Sequence, residues 1–323
     1  MRIDCHNHLG VDLLFYLHRD FPYAQDLPTL IADGGRQGIT HWIAFPMVSN
    51  LCFSPSGFLA GNLETDGAIE KVPYAYENRR LMEEVYSLFP DEGKSILPFA
   101  IIDPERNTIA QAEALRQLRR DYRFFGLKIQ ATIIQSRVKG LLGDGGVFLD
   151  LAREWNIPLL IHSSFAKNDP WSQSSDILDI AEANPDIRFC LAHSCRFEKA
   201  SLDRLAALSN CWFDCSAHGI HCDAVVMNLP IVAPEPERFL SDYTRPERVL
   251  TDLAADYPDK LMWGSDSPFY SYIGRLEDSI LSLRSSYERE ANCLKALSPE
   301  AVKRITCTNI LDFLKIDDES ILA

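Results

Sequence analysis

The chain has 323 residues, 46% of them hydrophobic, which suits one globular domain over residues 1–323. Acidic residues outnumber basic ones by 46 to 32, and the formal net charge of −14 argues against a nucleic-acid partner. No apolar stretch has the length of a membrane span, and the nine scattered cysteines resemble reduced thiols, so we expect a cytoplasmic protein with no membrane partner.

Eight apolar runs alternate with segments that have helical periodicity. The predicted strands are Arg2 to His8, Thr40 to Pro46, Ile96 to Ile102, Phe124 to Gln130, Ile157 to Ser163, Ile187 to Ser194, Cys211 to Ala217 and Leu261 to Pro268. The predicted helices are Tyr76 to Phe89, Thr108 to Asp121, Gly146 to Trp155, Ser174 to Ala183, Lys199 to Leu208, Pro246 to Ala255 and Leu276 to Glu290, and Ser298 begins a last helix through Phe313.

This alternation predicts right-handed parallel crossovers that close into an α/β fold, a (β/α)8 TIM barrel. Its active site is expected at the carboxyl ends of the strands. Three long connections follow the first, second and seventh strands, at Leu9 to Leu27, Met47 to Ala75 and Ser216 to Arg245, and we expect them to cover the catalytic face. The candidate substrate contacts in these loops are His18, Phe53, Phe58, Tyr74, His218 and His221.

Potential metal ligands lie at four of the predicted strand ends. His6 and His8 end the first strand and share a parity, so both side chains can reach one ion. His162, His193 and Asp266 end the fifth, sixth and eighth strands. We predict that His6, His8, His162 and Asp266 bind a divalent metal, most simply zinc, although manganese, iron and magnesium also accept these ligand types.

Strand parity makes further predictions. It places Asp4, His6 and His8 inside the barrel and directs Cys5 and Asn7 toward the helices. In the fourth strand Lys128 shares the inward parity of Gly126 and Gln130. A buried lysine needs a compensating partner.

These motifs carry a family resemblance. The segments Asp4-Cys5-His6-Asn7-His8, Leu160-Ile161-His162-Ser163, Leu191-Ala192-His193-Ser194 and Trp263-Gly264-Ser265-Asp266-Ser267-Pro268 resemble the strand ends of the amidohydrolase superfamily. Within it they most resemble the amidohydrolase-2 group of metal-dependent TIM-barrel hydrolases, which also contains non-oxidative decarboxylases. The resemblance implies one ion, or two if Lys128 is carboxylated and bridges them.

The first functional hypothesis is hydrolysis of a small amide, lactone or related ester by a metal-activated water. Asp266 would carry the proton, His193 would stabilise the developing charge, and Lys128 completes the catalytic candidates. Arg196, Gln130 and His218 are the predicted substrate-binding residues, Arg196 because a guanidinium can hold a carboxylate.

Two alternatives remain open. A decarboxylase would use Arg196 to anchor a carboxylated substrate, with His193 or Asp266 managing proton transfer to carbon. A catalytically silent barrel scaffold is disfavoured because every ligand position is filled. The partner is a small molecule in either enzymatic reading, and a homo-oligomer is compatible with the sequence.

Overall fold

The computed structural model describes residues 1–50, 52, 54, 56–57, 60, 72–276 and 279–317. Nine strands form one curled sheet, in the order β2-β1-β3-β4-β5-β6-β7-β8-β9. The strands are β1 (Ile3–Val11), β2 (Ala24–Gln25), β3 (His41–Pro46), β4 (Ile96–Ile101), β5 (Gly126–Ile129), β6 (Leu159–Ile161), β7 (Phe189–Leu191), β8 (Cys211–Asp214) and β9 (Leu261–Met262). All neighbours are parallel except the short β2, which pairs antiparallel with β1.

Hydrogen bonds between β1 and the segment that follows β9 close the sheet. The Cys5 amide donates to the Trp263 carbonyl at 3.1 Å, and the Asp266 amide donates to the His6 carbonyl at 2.9 Å. The His8 amide donates to the Ser267 carbonyl at 2.8 Å. The eight parallel strands therefore form the predicted (β/α)8 TIM barrel, with its ends joined beside the histidine pair.

Helices cover the outside of the barrel as the amphipathic patterns predict. They are Leu13–His18, Leu27–Gly35, Ala75–Glu83, Thr108–Asp121, Ala131–Ile134, Gly146–Trp155, Ser174–Ala183, Lys199–Ala207, His218–Val226, Pro246–Asp256, Tyr287–Asn292, Pro299–Lys303 and Asn309–Leu314. The segment Glu84–Leu88 continues one helix as a π-helical turn. Within the described residues no helix has both the length and the apolar character to cross a membrane.

The barrel has two apolar layers. Ile3, Cys5, Phe45 and Phe99 belong to a cluster inside the barrel, which Phe313 of the last helix also joins. A larger cluster lies between the strands and the surrounding helices. The inner cluster fills the barrel below the polar strand ends, so the chemistry is confined to the carboxyl face.

A β-bulge in β1 corrects the predicted parity of two residues. Asp4 of β1 pairs with Trp42 of β3, and the next pair is Asn7 with Ala44. That step covers three residues of β1 but only two of β3, so β1 carries one extra residue. Cys5 consequently lies in the inner cluster, and Asp4 accepts a hydrogen bond from Tyr287 Oη at 2.5 Å on the helix side. The prediction of an inward Asp4 and an outward Cys5 was wrong, because alternation breaks at the bulge.

The predicted helix from Leu276 to Glu290 is also wrong. The chain forms a β-hairpin of β10 (Tyr272–Leu276) and β11 (Ser279–Leu283) before the helix Tyr287–Asn292 begins. Apolar residues at positions 276, 280 and 283 imitate helical spacing, but on a strand positions 281 and 283 share one face and position 280 lies on the other. Tertiary packing selects the strand: Leu281 and Leu283 pack with Ile220, whereas Ile280 is 77% exposed.

The structure describes the first and third of the three long connections, but only part of the second. The first contains the helix Leu13–His18 and β2, and the third contains the helix His218–Val226. Much of the second, including Phe53 and Phe58, lies outside the described residues. The hairpin of β10 and β11 is a fourth element that covers the carboxyl face, and the sequence did not predict it.

Candidate metal centre

Three of the four predicted ligands converge at the carboxyl face. Ligand atoms of His6, His8 and Asp266 all lie within 4.8 Å of one another, and all three residues are buried. Nε2 of His6 and Nε2 of His8 lie 3.3 and 3.2 Å from Oδ1 of Asp266. Two imidazoles and a carboxylate around one point form a donor set that fits a divalent ion.

Burial favours the neutral, ligand-competent form of both imidazoles. It lowers the pKa of His6, and Lys128 lowers it further despite the opposing attraction of Asp214 and Asp266. Burial lowers the pKa of His8 well below its ordinary value, again with Lys128 contributing. A neutral imidazole keeps a lone pair available for a metal.

The backbone around Asp266 is unusual. Asp266 has a φ of 65°, in the left-handed region that few non-glycine residues adopt. Gly264 precedes it where a Cβ atom would come within 2.7 Å of His6 Cβ, so only glycine allows this segment to approach β1. Burial raises the pKa of Asp266 to about 6.

Asp214, at the end of β8, orients this group and was missed in the sequence. Its Oδ2 accepts from His6 Nδ1 at 2.9 Å, and its Oδ1 accepts from the His193 amide at 3.1 Å and from Ser216 Oγ at 2.5 Å. Although burial opposes it, attraction to His6 and hydrogen bonds from His6 and Ser216 hold the pKa of Asp214 below its ordinary value. A carboxylate that accepts from Nδ1 directs Nε2 toward the site. An aspartate inside the apolar run Cys211–Asp214 was the available signal.

His162, the fourth predicted ligand, is not part of the three-residue group. Its Nδ1 lies 2.9 Å from Nε2 of His193, and its Nε2 accepts from Nη2 of Arg196 at 3.2 Å. His193 Nδ1 in turn lies 3.2 Å from the Ser216 carbonyl and 3.8 Å from Oδ2 of Asp266. Burial, followed by the charge of Arg196, lowers the pKa of both histidines well below the ordinary value.

Arg196 is held beside these histidines by a left-handed turn. The five residues from His193 to Phe197 have φ values of 62, 48, 48, 54 and 65°. The guanidinium is buried, donating from Nε to the Ser163 carbonyl at 3.1 Å and from Nη1 to His221. Burial lowers the pKa of Arg196 to about 10, so it remains a cation at neutral pH.

Lys128 and Gln130 both face the barrel interior, as their parity predicted. Lys128 Nζ lies 3.2 Å from His6 Nε2 and 4.5 Å from the centre of the Phe45 ring, and burial lowers its pKa to about 8. Gln130 Nε2 lies 2.9 Å from His8 Nδ1. Gln130 Oε1 is buried without a hydrogen-bond partner among the described residues, which leaves an acceptor at the site.

A cavity of about 630 Å³ opens above the group. Seven of its polar lining residues lie at or just beyond the strand ends, and we call them the floor: His8, Lys128, Gln130, His162, His193, Arg196 and Asp266. Of the loop histidines, His221 lines the cavity, whereas His18 and His218 do not. His218 Nε2 instead lies 2.8 Å from the Pro246 carbonyl, so the structure separates this predicted substrate contact from the floor.

The barrel and its strand-end histidines and aspartate are the features that define amidohydrolases. The amidohydrolase family model Amidohydro_2 matches residues 3–316, and the chain belongs to this family. Comparison with curated protein sequences found no similar sequence.

Solved structures share the fold. An amidohydrolase from Burkholderia multivorans with bound HEPES has 17% identity and a TM-score of 0.62, over 98% of this chain and 100% of that one. A probable 2-pyrone-4,6-dicarboxylic acid hydrolase from Acinetobacter baumannii with citric acid bound has 15% identity and a TM-score of 0.58, over 98% and 99%. The apo form of Metarhizium anisopliae IDCase has 14% identity and a TM-score of 0.54, over 98% and 97%. At these identities the likeness establishes the fold alone.

Proposed function

We propose that this protein is a metal-dependent hydrolase of a small amide, lactone or related ester. The observation that carries the proposal is the convergence of buried ligand atoms of His6, His8 and Asp266 within 4.8 Å of one another beside the cavity. The 2-pyrone-4,6-dicarboxylic acid hydrolase that shares the fold is compatible with this reaction class. The family and the donor set together favour it over a non-catalytic barrel.

His6, His8 and Asp266 would hold the ion, and His162 is the fourth proposed ligand. Zinc suits this set, while manganese, iron and magnesium remain alternatives. A bound divalent ion supplies Lewis-acid polarisation and lowers the pKa of a bound water. We propose one ion, or two if Lys128, whose Nζ lies 3.2 Å from the ring nitrogen that His6 would offer, is carboxylated and bridges them.

The residues of the floor would then transfer protons, stabilise developing charge and orient the substrate. Asp266 would accept a proton from the attacking water and return it to the leaving group. His193 would hydrogen-bond the carbonyl oxygen as charge develops there. The free acceptor of Gln130 and the cation of Arg196 would orient the substrate.

The buried cation of Arg196 also favours a second candidate, decarboxylation. Arg196 lines the cavity and is buried among His162, His221 and the Ser163 carbonyl. A carboxylated substrate would satisfy a guanidinium at this place, and a decarboxylase must bind such a group in every turnover. Hydrolysis needs Arg196 only when the substrate is anionic.

Turnover in oxygen-18 water separates the two reactions. Zinc-loaded protein is incubated with a panel of lactones, amides, esters and unsaturated or aromatic carboxylic acids, and the products are analysed by mass spectrometry. Solvent label in an acyl or ring-opened product is expected. Carbon dioxide release from an acid, with no label in its co-product and with loss of activity in Arg196→Ala, would replace hydrolysis by decarboxylation.

The number of ions has its own test. Lys128→Met removes the amine but retains an apolar chain against Phe45. Metal analysis by mass spectrometry is expected to find one ion per chain in both the variant and the parent protein. A parent with two ions and a variant with one would show that a carboxylated Lys128 bridges them.

A further inference from the structure

One side of the cavity differs in chemistry from the floor, although the rest of the lining includes polar residues such as Thr132, Asp169 and Arg275. A row of aromatic rings rises from His8: the ring centres of His8 and Phe269 are 4.9 Å apart, those of Phe269 and Phe15 are 4.9 Å apart, and those of Phe15 and Tyr272 are 6.2 Å apart. All four residues line the cavity. A surface of tilted and edge-on rings that begins at a proposed metal ligand offers little to a small polar substrate.

Aliphatic side chains from separate elements form another part of the wall. Ile220 lies on the helix His218–Val226, Leu229 follows that helix, and Leu281 and Leu283 belong to the hairpin. These residues also pack against one another, so the wall is a continuous apolar cluster. We call this cluster, together with Phe15, Phe269 and Tyr272, the apolar wall.

Several residues of the apolar wall retain accessible surface. Phe15, Phe269, Tyr272 and Leu281 are only partly buried, although each lines the cavity. A volume of about 630 Å³ is within the range of cavities that bind drug-sized ligands. Covering these partly exposed side chains would remove apolar surface from water, which is favourable in proportion to the area covered.

We propose that the substrate carries a bulky apolar group, an aryl ring or a medium-length alkyl chain, which lies along the apolar wall while its polar reacting group meets the floor. This inference depends on the proposed function only for the chemical identity of the reacting group. The apolar wall acts as a specificity determinant, because each methylene that it covers adds binding free energy that a short substrate lacks. Small, wholly polar lactones and amides are therefore expected to be poor substrates.

Binding of a homologous series tests the apolar wall without turnover. Acetate, butanoate, hexanoate and octanoate are titrated into the protein by calorimetry, with benzoate and cinnamate as aryl probes. The carboxylate suits the cation of Arg196, and the dissociation constant is expected to fall by about threefold for each added methylene. A dissociation constant that is unchanged from acetate to octanoate overturns the inference.

Two positions of one strand provide a matched pair of variants. Leu281 lines the cavity, whereas its neighbour Ile280 is 77% exposed on the other face of β11. Leu281→Asp is expected to weaken octanoate binding by about tenfold or more, because a charge would replace apolar wall, while Ile280→Asp leaves it unchanged. Equal effects of the two substitutions would contradict the proposal. Phe15→Ala, which removes one ring of the row, provides a second variant that should reduce the gain per methylene if Leu281→Asp does not fold.

Turnover distinguishes this inference from the proposed function. Chain-length-dependent binding without hydrolysis of any ester or lactone would support the apolar wall and reject the hydrolase. Hydrolysis of unsubstituted lactones at the same kcat/KM as their alkyl or aryl derivatives would support the hydrolase and overturn the inference. A rise in kcat/KM with alkyl length, lost in Leu281→Asp and kept in Ile280→Asp, is the result expected if both are correct.

Discussion

The floor and the covering elements of the cavity are held in place by different interactions. On and behind the floor, buried polar side chains are held by particular partners, as when Asp214, behind the floor, accepts from His6 with one oxygen and from Ser216 with the other. Above it, the side chains of Ala217, Ile220 and Leu283 pack through apolar contact, and hydrogen bonds such as that from the Gly219 amide to Glu290 add to this packing. Removing a buried hydrogen-bond partner leaves an unsatisfied group, whereas an apolar contact loses free energy only in proportion to area. Substitutions in the floor should therefore have the larger effects.

The largest expected effect follows Asp266→Ala, which removes the carboxylate that His6 and His8 share. Zinc affinity, measured by competition with a chromophoric chelator, should fall by more than the roughly 10- to 100-fold typical of changes behind the ligands. Asp259→Ala, at an exposed ion pair with Arg304, is the control. Retention of parental zinc affinity in Asp266→Ala would show that the ion binds elsewhere.

Asp214→Asn should have the next largest effect. Its amide can no longer hold the Nδ1 proton of His6 as a carboxylate does, so zinc affinity is expected to fall by roughly 10- to 100-fold. Nitrogen-15 NMR of the histidine rings should show a changed tautomer or increased exchange at His6. A loss of affinity with an unchanged His6 ring signal would mean that Asp214 acts through general stability instead of orientation.

Glu290, which anchors the covering elements, should give a moderate, pH-dependent effect. It accepts from the Gly219 amide at 3.1 Å and from Ser285 Oγ, and burial raises its pKa from 4.5 to about 7. The folded protein therefore keeps a proton that the unfolded chain releases between these values, and the free energy of unfolding falls as pH rises from 4.5 to 7.

Glu290→Gln should flatten this dependence by on the order of 1 kcal/mol across the window, measured by urea unfolding at several pH values. Glu288→Gln, an exposed position of the same helix, is the control. An unchanged slope in Glu290→Gln would assign the proton uptake to another buried acid.

The smallest expected effect belongs to Tyr272→Phe in the hairpin. The hydroxyl donates to Asp20 Oδ2 at 3.3 Å, and burial raises the pKa of Tyr272 to about 12, so the group is neutral at physiological pH. Losing one long, partly exposed hydrogen bond should lower the free energy of unfolding by less than about 1 kcal/mol and leave zinc affinity unchanged. A substantial loss of zinc affinity would show that covering elements and floor are coupled.

The sequence predicts the strand-end residues of the floor better than it predicts the covering elements. His6, His8 and Asp266 fall at the ends of apolar runs, and a closed parallel sheet brings such ends to one face, so local pattern is sufficient to predict their convergence. The inward orientation of Lys128 and Gln130 follows from strand parity in the same way.

Features that arise between segments were not predictable from local pattern. The bulge that turns Cys5 inward exists only because β1 carries one more residue than its partner β3. The role of Asp214 depends on where His6, 208 residues away along the chain, comes to lie, and nothing in the local pattern of β8 indicates that partner. In the hairpin, the apolar residues fit helical spacing as well as one face of a strand, and contacts with Ile220 decide between the two.

The left-handed turn from His193 to Phe197 has a consequence for how such a protein can evolve. A left-handed conformation costs a residue with a Cβ atom roughly 1–2 kcal/mol, and glycine escapes that cost. Along most of the barrel a change to glycine would weaken the fold, but at Ser194 relief of this strain offsets part of the usual penalty. Descendants of this chain could thus drift toward glycine here with little loss of thermal tolerance, while Arg196 gained freedom of movement. Selection on substrate preference, more than selection on stability, would then keep the bulkier residues in place.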